Sequence, residues 1–450
     1  MKYFILAGLL SGAVFANSND LIHRPKSFPV TGGQAVFVDF SEAVYKITYD
    51  ATTKKALVRA EISFDAPEAG LPIFDTVQTP TSIILDGVKV DAVEAKTPSR
   101  ETTLRYVNRS VSVGSHSMII EVPLNELLDF TSEQGVKSAF WTSDLSEREF
   151  MERYLPANFE FDQVKMTYMI KFVGTKTKQL IFTNGTQTTE GDWIKISYPS
   201  HYTASSIFFH TVPEGTVEYK RFTLRSIDGR EIPAVVYYQN GPFSTTNLDR
   251  LQQKTTDVFT ELERDYGAFL HPQIIVYNAG SGGMEYCGAT MTDNGALGHE
   301  LFHSYFARGV MPANGNSGWM DEALASWRDG GYRSTTTLSG SSRMSAHEYY
   351  TRTTDTAAYS FGARFMGYLD GTLAARGKGG LKPFMRHMVE NKSLKPIFVE
   401  EFYKEMSAFY GVDMEPDFKK YTYGQGIVTP AKADEHVHKK MSLQELRKHL

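Results

Sequence analysis

The sequence predicts an α+β protein of more than one domain, with an antiparallel β-sandwich or saddle first and a mixed domain ending in helices after it. Three observations lead there. The chain has 450 residues, enough for two or three domains. Short segments of alternating apolar and polar residues recur from residue 17 to about 215, which is the period of half-buried strands. From about residue 293 to about 411 the apolar spacing lengthens to that of helices.

The composition bounds the class further. The chain is 41% hydrophobic and 22% charged, as expected of a folded protein with a sizeable core. Its formal charge of −5 leaves no basic stripe of the kind nucleic acid requires. Residues 1–16 have the order of a signal peptide: Lys2, an apolar run from Phe4 to Phe15, and Val14-Phe15-Ala16 before Asn17. The apolar run is too short to span a bilayer, and no later one is long enough. Export to a periplasmic or extracellular space is therefore expected, without stable membrane insertion once the peptide is removed. The one cysteine, Cys287, rules out an internal disulfide, and it reads as a small packing residue.

In chain order, strands are expected at Ala35 to Phe40, Val44 to Tyr49, Ala56 to Phe64, Ser117 to Val122, Tyr168 to Val173 and Trp193 to Tyr198. Asp86-Gly87 and Gly191-Asp192 are turn pairs between strands. The character changes near 215. Arg221 to Leu224 and Ala234 to Tyr238 are strands, and Thr246 to Asp265 is an amphipathic helix with Leu248, Leu251, Val258, Phe259 and Leu262 on one face. Gly267 ends it, and Pro272 bars a return to helix. Gln273 to Tyr277 is a further strand. The expected division is a 17–215 β domain, a 216–425 catalytic domain and a 426–450 charged tail.

The chemistry centres on Gly298-His299-Glu300-Leu301-Phe302-His303. On a helix, His299 and His303 stack one turn apart, so both imidazoles can close on one Zn²⁺. Glu322 stands on a second apolar stretch, Trp319 to Trp327, and is the candidate third ligand. Pro312, Gly315 and Gly318 supply the turn between the two helices. Two His and one carboxylate leave a fourth zinc position for water, which is the catalytic pattern. Zinc lowers the pKa of such a water from about 15.7 to roughly 7, and Glu300 is placed to take its proton. Strands first and helices after suggest a thermolysin-type α+β domain with one zinc in its cleft. His271, His347 and His387 read as surface or capping residues, and His436 and His438 as part of the tail.

The chain resembles the gluzincin aminopeptidases, the aminopeptidase N family. Gly283-Met284-Glu285-Tyr286 is similar to that family's GxMEN, His299 to His303 to its HExxH, Trp319-Met320-Asp321-Glu322 to its WLxE, and Tyr359-Ser360-Phe361-Gly362 to its YxKG. Arg153 to Phe161 resembles the segment that closes the family's β domain. Pro312 falls where the related glycyl aminopeptidases have a proline. The specific part runs from about 283 to 363. The resemblance implies zinc on His299, His303 and Glu322, with Glu300 as general base. It further implies that Glu285 holds the substrate's α-ammonium, that Gly282 and Gly283 lie beside the peptide, and that Tyr359 hydrogen-bonds the oxyanion. The implied substrate is a peptide with a free N-terminus. Tyr286 and Phe361 depart from the family pattern, as do the short spacings from Glu285 to His299 and from Glu322 to Tyr359. The family's large C-terminal helical domain is not expected here, so the cleft is expected to be more open. A zinc endopeptidase on the same scaffold and a non-catalytic binding protein with a relict domain remain the alternatives.

Overall fold

The computed structural model describes residues 24–95, 103–142, 150–158, 160–239, 247–313, 315–347 and 354–425. Residues 1–16, where a signal peptide is expected, and the 426–450 tail with His436 and His438 lie outside the described residues.

The first half of the chain folds into three sheets. The largest has eight strands and is built on Asp39–Asp50, Lys55–Ala66, Gly114–Pro123 and Lys165–Val173. Along Lys55–Ala66 buried residues alternate with more exposed ones, as the sequence period requires. The Asp86-Gly87 hairpin takes positive φ at both positions, the geometry that suits a two-residue turn between twisted strands. The sheet is not wholly antiparallel, because Lys165–Val173 runs parallel to Asp39–Asp50.

A five-stranded mixed sheet opens the second half, in the order Val217–Arg225, Glu231–Gln239, Ile274–Asn278, Ala289–Thr292, Gly283–Tyr286. Beyond the exposed edge strand Val217–Arg225, its strands are buried on both faces. Val235, Tyr237, Ile275, Tyr277 and Met284 pack into the same apolar cluster as the large sheet of the first half. Their neighbours Ala234, Val236, Ile274 and Val276 pack against the helices. A strand buried on both faces reads as a continuous apolar run, which is how Ala234 to Tyr238 reads.

The helices follow. Helix α1 (Leu248–Tyr266) starts at Asn247, whose side chain accepts from the Arg250 N–H, and ends at Gly267 with φ 105°. Helix α2 (Leu297–Phe302) carries the histidine motif, and α3 (Met320–Asp329) carries Glu322. A π-helical turn, Ala358–Gly362, leads into α4 (Ala363–Ala375). Helices α5 (Lys382–Lys392), α6 (Val399–Tyr410) and α7 (Glu415–Tyr421) complete the described chain. A short parallel pair, Val310–Pro312 with Lys395–Ile397, joins the turn after α2 to the start of α6. Among the described residues no helix is long and apolar enough to cross a membrane.

Candidate metal centre and active site

Helix α2 is only six residues long, too short to persist by itself. Asp293 holds the turn that leads into it, its carboxylate accepting the N–H groups of Gly295 and Ala296. Leu297, Leu301 and Phe302 anchor it in the helical core. His299 therefore points from a fixed helix, and His303 closes its last turn. The two rings stand 4.8 Å apart and nearly perpendicular.

Each imidazole is oriented from behind. His299 Nδ1 lies 2.6 Å from Asp329 Oδ2, and His303 Nδ1 lies 3.1 Å from the Phe306 carbonyl. An Nδ1–H given to an oxygen leaves Nε2 with its lone pair facing the other way. Both Nε2 atoms face Glu322 Oε2, at 3.1 Å from His299 and 3.6 Å from His303. The ligand atoms of all three residues lie within 4.8 Å of one another, and all three residues are buried. His303 Nε2 is buried and, among the described residues, makes no hydrogen bond, only the longer approach to Glu322. Such an atom is costly in a core, and its place beside a second imidazole and a carboxylate fits a ligand to a divalent cation.

The electrostatics agree with that assignment. Burial pushes both imidazoles down. Asp329 and Glu322 outweigh it at His299 and lift it to about 10, while Glu322 and Glu285 lift His303 to about 9. A dication held here by His299, His303 and Glu322 would take the place of those protons.

Two further carboxylates stand beside the histidines, and Tyr359 lies on a turn packed against α3. Glu300 is buried, and its carboxylate rests against the Gly283 backbone. A Cβ on Gly283 would stand 2.0 Å from Glu300 Oε1. The glycine is thus required to make room for this carboxylate, where the resemblance assigned it only to the peptide. Gly282 adopts φ 64°, and its carbonyl accepts the Asp293 N–H, fixing the loop before α2. Glu285 is also buried, and ligand atoms of Glu285, Glu300 and His303 lie within 4.8 Å of one another. Tyr359 is half-buried on the π-helical turn. That turn packs on α3 because Gly362 lacks a side chain: a Cβ there would stand 2.8 Å from that of Ala323, next to Glu322.

Two residues of this neighbourhood were not singled out from the sequence. Asp329 follows Glu322 by seven positions, two turns along the same face of α3, and that spacing was a readable signal. Behind it, Arg328 makes a two-pronged pair with Glu261 of α1 and also reaches Asp329. Arg308 sits in the turn after α2 and pairs with Glu285 at 3.0 Å. No local pattern announces that contact.

Other expectations are corrected or placed. His271 is not a surface residue. It is buried and bonded to the Ser304 carbonyl, and burial pushes its pKa down to about 3. His347 and His387 are partly exposed and pair with Asp355 and Glu405, and neither joins a described group that could hold a metal. Cys287 is buried, its thiol pushed up to about 12 by burial, in keeping with a packing role.

This combination of a strand-rich first half, a mixed sheet and helices carrying the histidine and glutamate motifs is the fold of the M1 zinc metallopeptidases. Among solved structures that share it, an M1 zinc metallopeptidase from Deinococcus radiodurans superposes with a TM-score of 0.60 at 16% identity, covering 89% of this chain and 98% of that one. A mutant of that enzyme bound to a Tyr-Ser-Ala substrate matches with a TM-score of 0.61 at 15% identity, over 88% of this chain and 96% of that one. Native yeast LTA4 hydrolase matches with a TM-score of 0.60 at 14% identity, over 88% of this chain and 69% of that one. No family model and no curated protein matches the sequence.

Proposed function

We propose that the protein is a zinc aminopeptidase. The observation that carries this reading is the convergence of two oriented Nε2 atoms and one carboxylate, with Glu300 and Glu285 beside them. His299, His303 and Glu322 would hold one zinc ion. When bound, zinc supplies a Lewis acid and a water acidic enough to react near neutral pH. Glu300 takes the proton of the attacking water and returns it to the leaving amine. Glu285 binds the α-ammonium, so that only the first peptide bond reaches the metal. Tyr359 gives a hydrogen bond to the oxygen that gains charge. The solved M1 structure with a bound Tyr-Ser-Ala substrate supports a peptide as the substrate class.

The test has two variants. Purified protein should contain about one zinc per chain. His303→Ala should lose the metal. Glu300→Gln should keep it and lose turnover by roughly 100-fold or more. Full activity in Glu300→Gln would sink the general-base role.

The endopeptidase reading has one observation in its favour: the charge of Glu285 is already shared with Arg308. Comparing a free peptide with its N-acetylated form separates the two readings. Equal cleavage of both would favour the endopeptidase.

We also propose that the protein is exported and cut after Ala16, on the residue order of its first sixteen positions. N-terminal sequencing of the exported protein should start at Asn17, and a mature form still starting at Met1 would refute it.

A further inference from the structure

We propose that Arg308 is a positioning residue for Glu285, held in place from the β domain by Ser205. The proposal rests on the aminopeptidase reading above and assigns the device that aims its ammonium anchor.

The contacts form a short chain across the two halves of the molecule. Arg308 Nη1 donates to Ser205 Oγ at 2.6 Å, and Nη2 donates to Glu285 Oε1 at 3.0 Å. Arg308 is 3% exposed and Glu285 is 1% exposed. Burial works against the guanidinium's charge, and Glu285 and Glu160 outweigh it, so Arg308 stays cationic. A planar guanidinium with one arm on a hydroxyl and the other on a carboxylate oxygen has little freedom to turn. Glu285 Oε1 is thereby fixed, which sets the plane of the carboxylate.

The backbone around this pair is held just as firmly. The Arg308 N–H donates to the carbonyl of His303, so the arginine is tied to the turn that carries a candidate zinc ligand. Cys287, two residues after Glu285, gives its N–H to the Ser206 carbonyl and its thiol to the Arg308 carbonyl. Asn184 bridges the carbonyls of Ser206 and Cys287 at 2.7 and 2.8 Å. Ser205, Glu285 and Arg308 thus belong to one clamp, made of a loop of the first half, a sheet edge and the turn after α2.

A carboxylate that anchors an ammonium must set the scissile carbonyl to within a fraction of an ångström, because small misplacements are costly in rate. On a short strand at the end of a sheet, a glutamate has three side-chain torsions to fix. Arg308 removes that freedom. It also carries a positive charge, which opposes ammonium binding. The arrangement therefore favours aim over affinity.

The measured quantity is the ratio of kcat/KM on L-leucyl-anilide to that on its N-acetylated form. In Arg308→Met this ratio should fall by roughly tenfold or more, with Arg308→Lys intermediate. Ser205→Ala, a milder change that keeps both charges, should move the ratio the same way by a smaller amount, with zinc content unchanged. In a Glu285→Gln background, Arg308→Met should cause no further fall in the ratio, since it acts only through that carboxylate. Calorimetry in a Glu300→Gln background, with L-leucinamide and N-acetyl-L-leucinamide, reads the preference for the free amine in binding alone, which Arg308→Met should leave unchanged or raise, since it removes the opposing charge. Equal losses on both substrates, or additive effects in the double variant, would overturn the role of Arg308 and leave the aminopeptidase reading standing. A wild type that shows no preference for the free amine, in rate or in binding, overturns both.

Discussion

Asp329 reaches the proposed metal through His299, so its effect on metal binding can be measured apart from the three candidate ligands. Its carboxylate, 2.6 Å from Nδ1, fixes the ring and makes Nε2 a better donor. Asp329→Ala should weaken zinc affinity by about 10- to 100-fold while leaving the fold intact. Titration against a competing chelator checks this, and unchanged affinity would remove Asp329 from the site. The sequence carried its signal in the seven-residue spacing from Glu322, although the apolar pattern that marks α3 ends at Trp327. The two histidines and Glu300 were legible because a helix fixes i and i+4 geometry without reference to the rest of the chain, and Glu322 because it stands on the next apolar helical stretch. Arg308 was not legible, since its contact with Glu285 depends on the path of the turn after α2. The glycine at 283 was recognised, but its reason was not: the neighbour that needs the space, Glu300, stands seventeen positions away.

Among the elements, the π-helical turn Ala358–Gly362 shows how a single missing methyl group places a side chain. Gly362 lets the turn sit against Ala323 of α3, and Tyr359 rides on that turn. Gly362→Ala would add a carbon 2.8 Å from Ala323 Cβ, so the turn must shift outward. Insertions of this kind into packed sites cost about 1–3 kcal/mol. The expected outcome is a fall in kcat of roughly tenfold or more from a misplaced Tyr359, with zinc content retained. Loss of zinc in this variant would mean that α3 moved instead of the turn. The strands of the first half were legible because one buried face imposes an alternation of two. Their partners were not. The parallel pairing of Lys165–Val173 with Asp39–Asp50 joins segments separated by most of the first half, and the pair Val310–Pro312 with Lys395–Ile397 is too short to leave a pattern. The π-helical turn also escaped notice, since its wider hydrogen-bond ring leaves little trace in residue type.

For the molecule as a whole, the sheet at Val217–Arg225 to Gly283–Tyr286 belongs equally to both halves. Phe182 of the first half stacks on Tyr237 at 3.9 Å between ring centres, and Trp141 stacks on Tyr277 at 5.5 Å. The apolar cluster that holds the large sheet together runs without a break into this face. Cooperative units of unfolding follow contiguous cores more closely than chain segments. Heat should therefore unfold both halves in one transition, with the near-ultraviolet and far-ultraviolet signals changing together. Two resolved transitions would show that the halves melt independently. The same face bears on any attempt to separate the peptidase by itself. A fragment starting at Val217 would bring Val235, Tyr237, Ile275 and Tyr277 to the solvent as a flat, sticky aromatic sheet, an exposed patch of the kind that drives aggregation. The first two hundred residues would then serve as a built-in solubiliser, and cutting them away should yield inclusion bodies instead of a smaller enzyme.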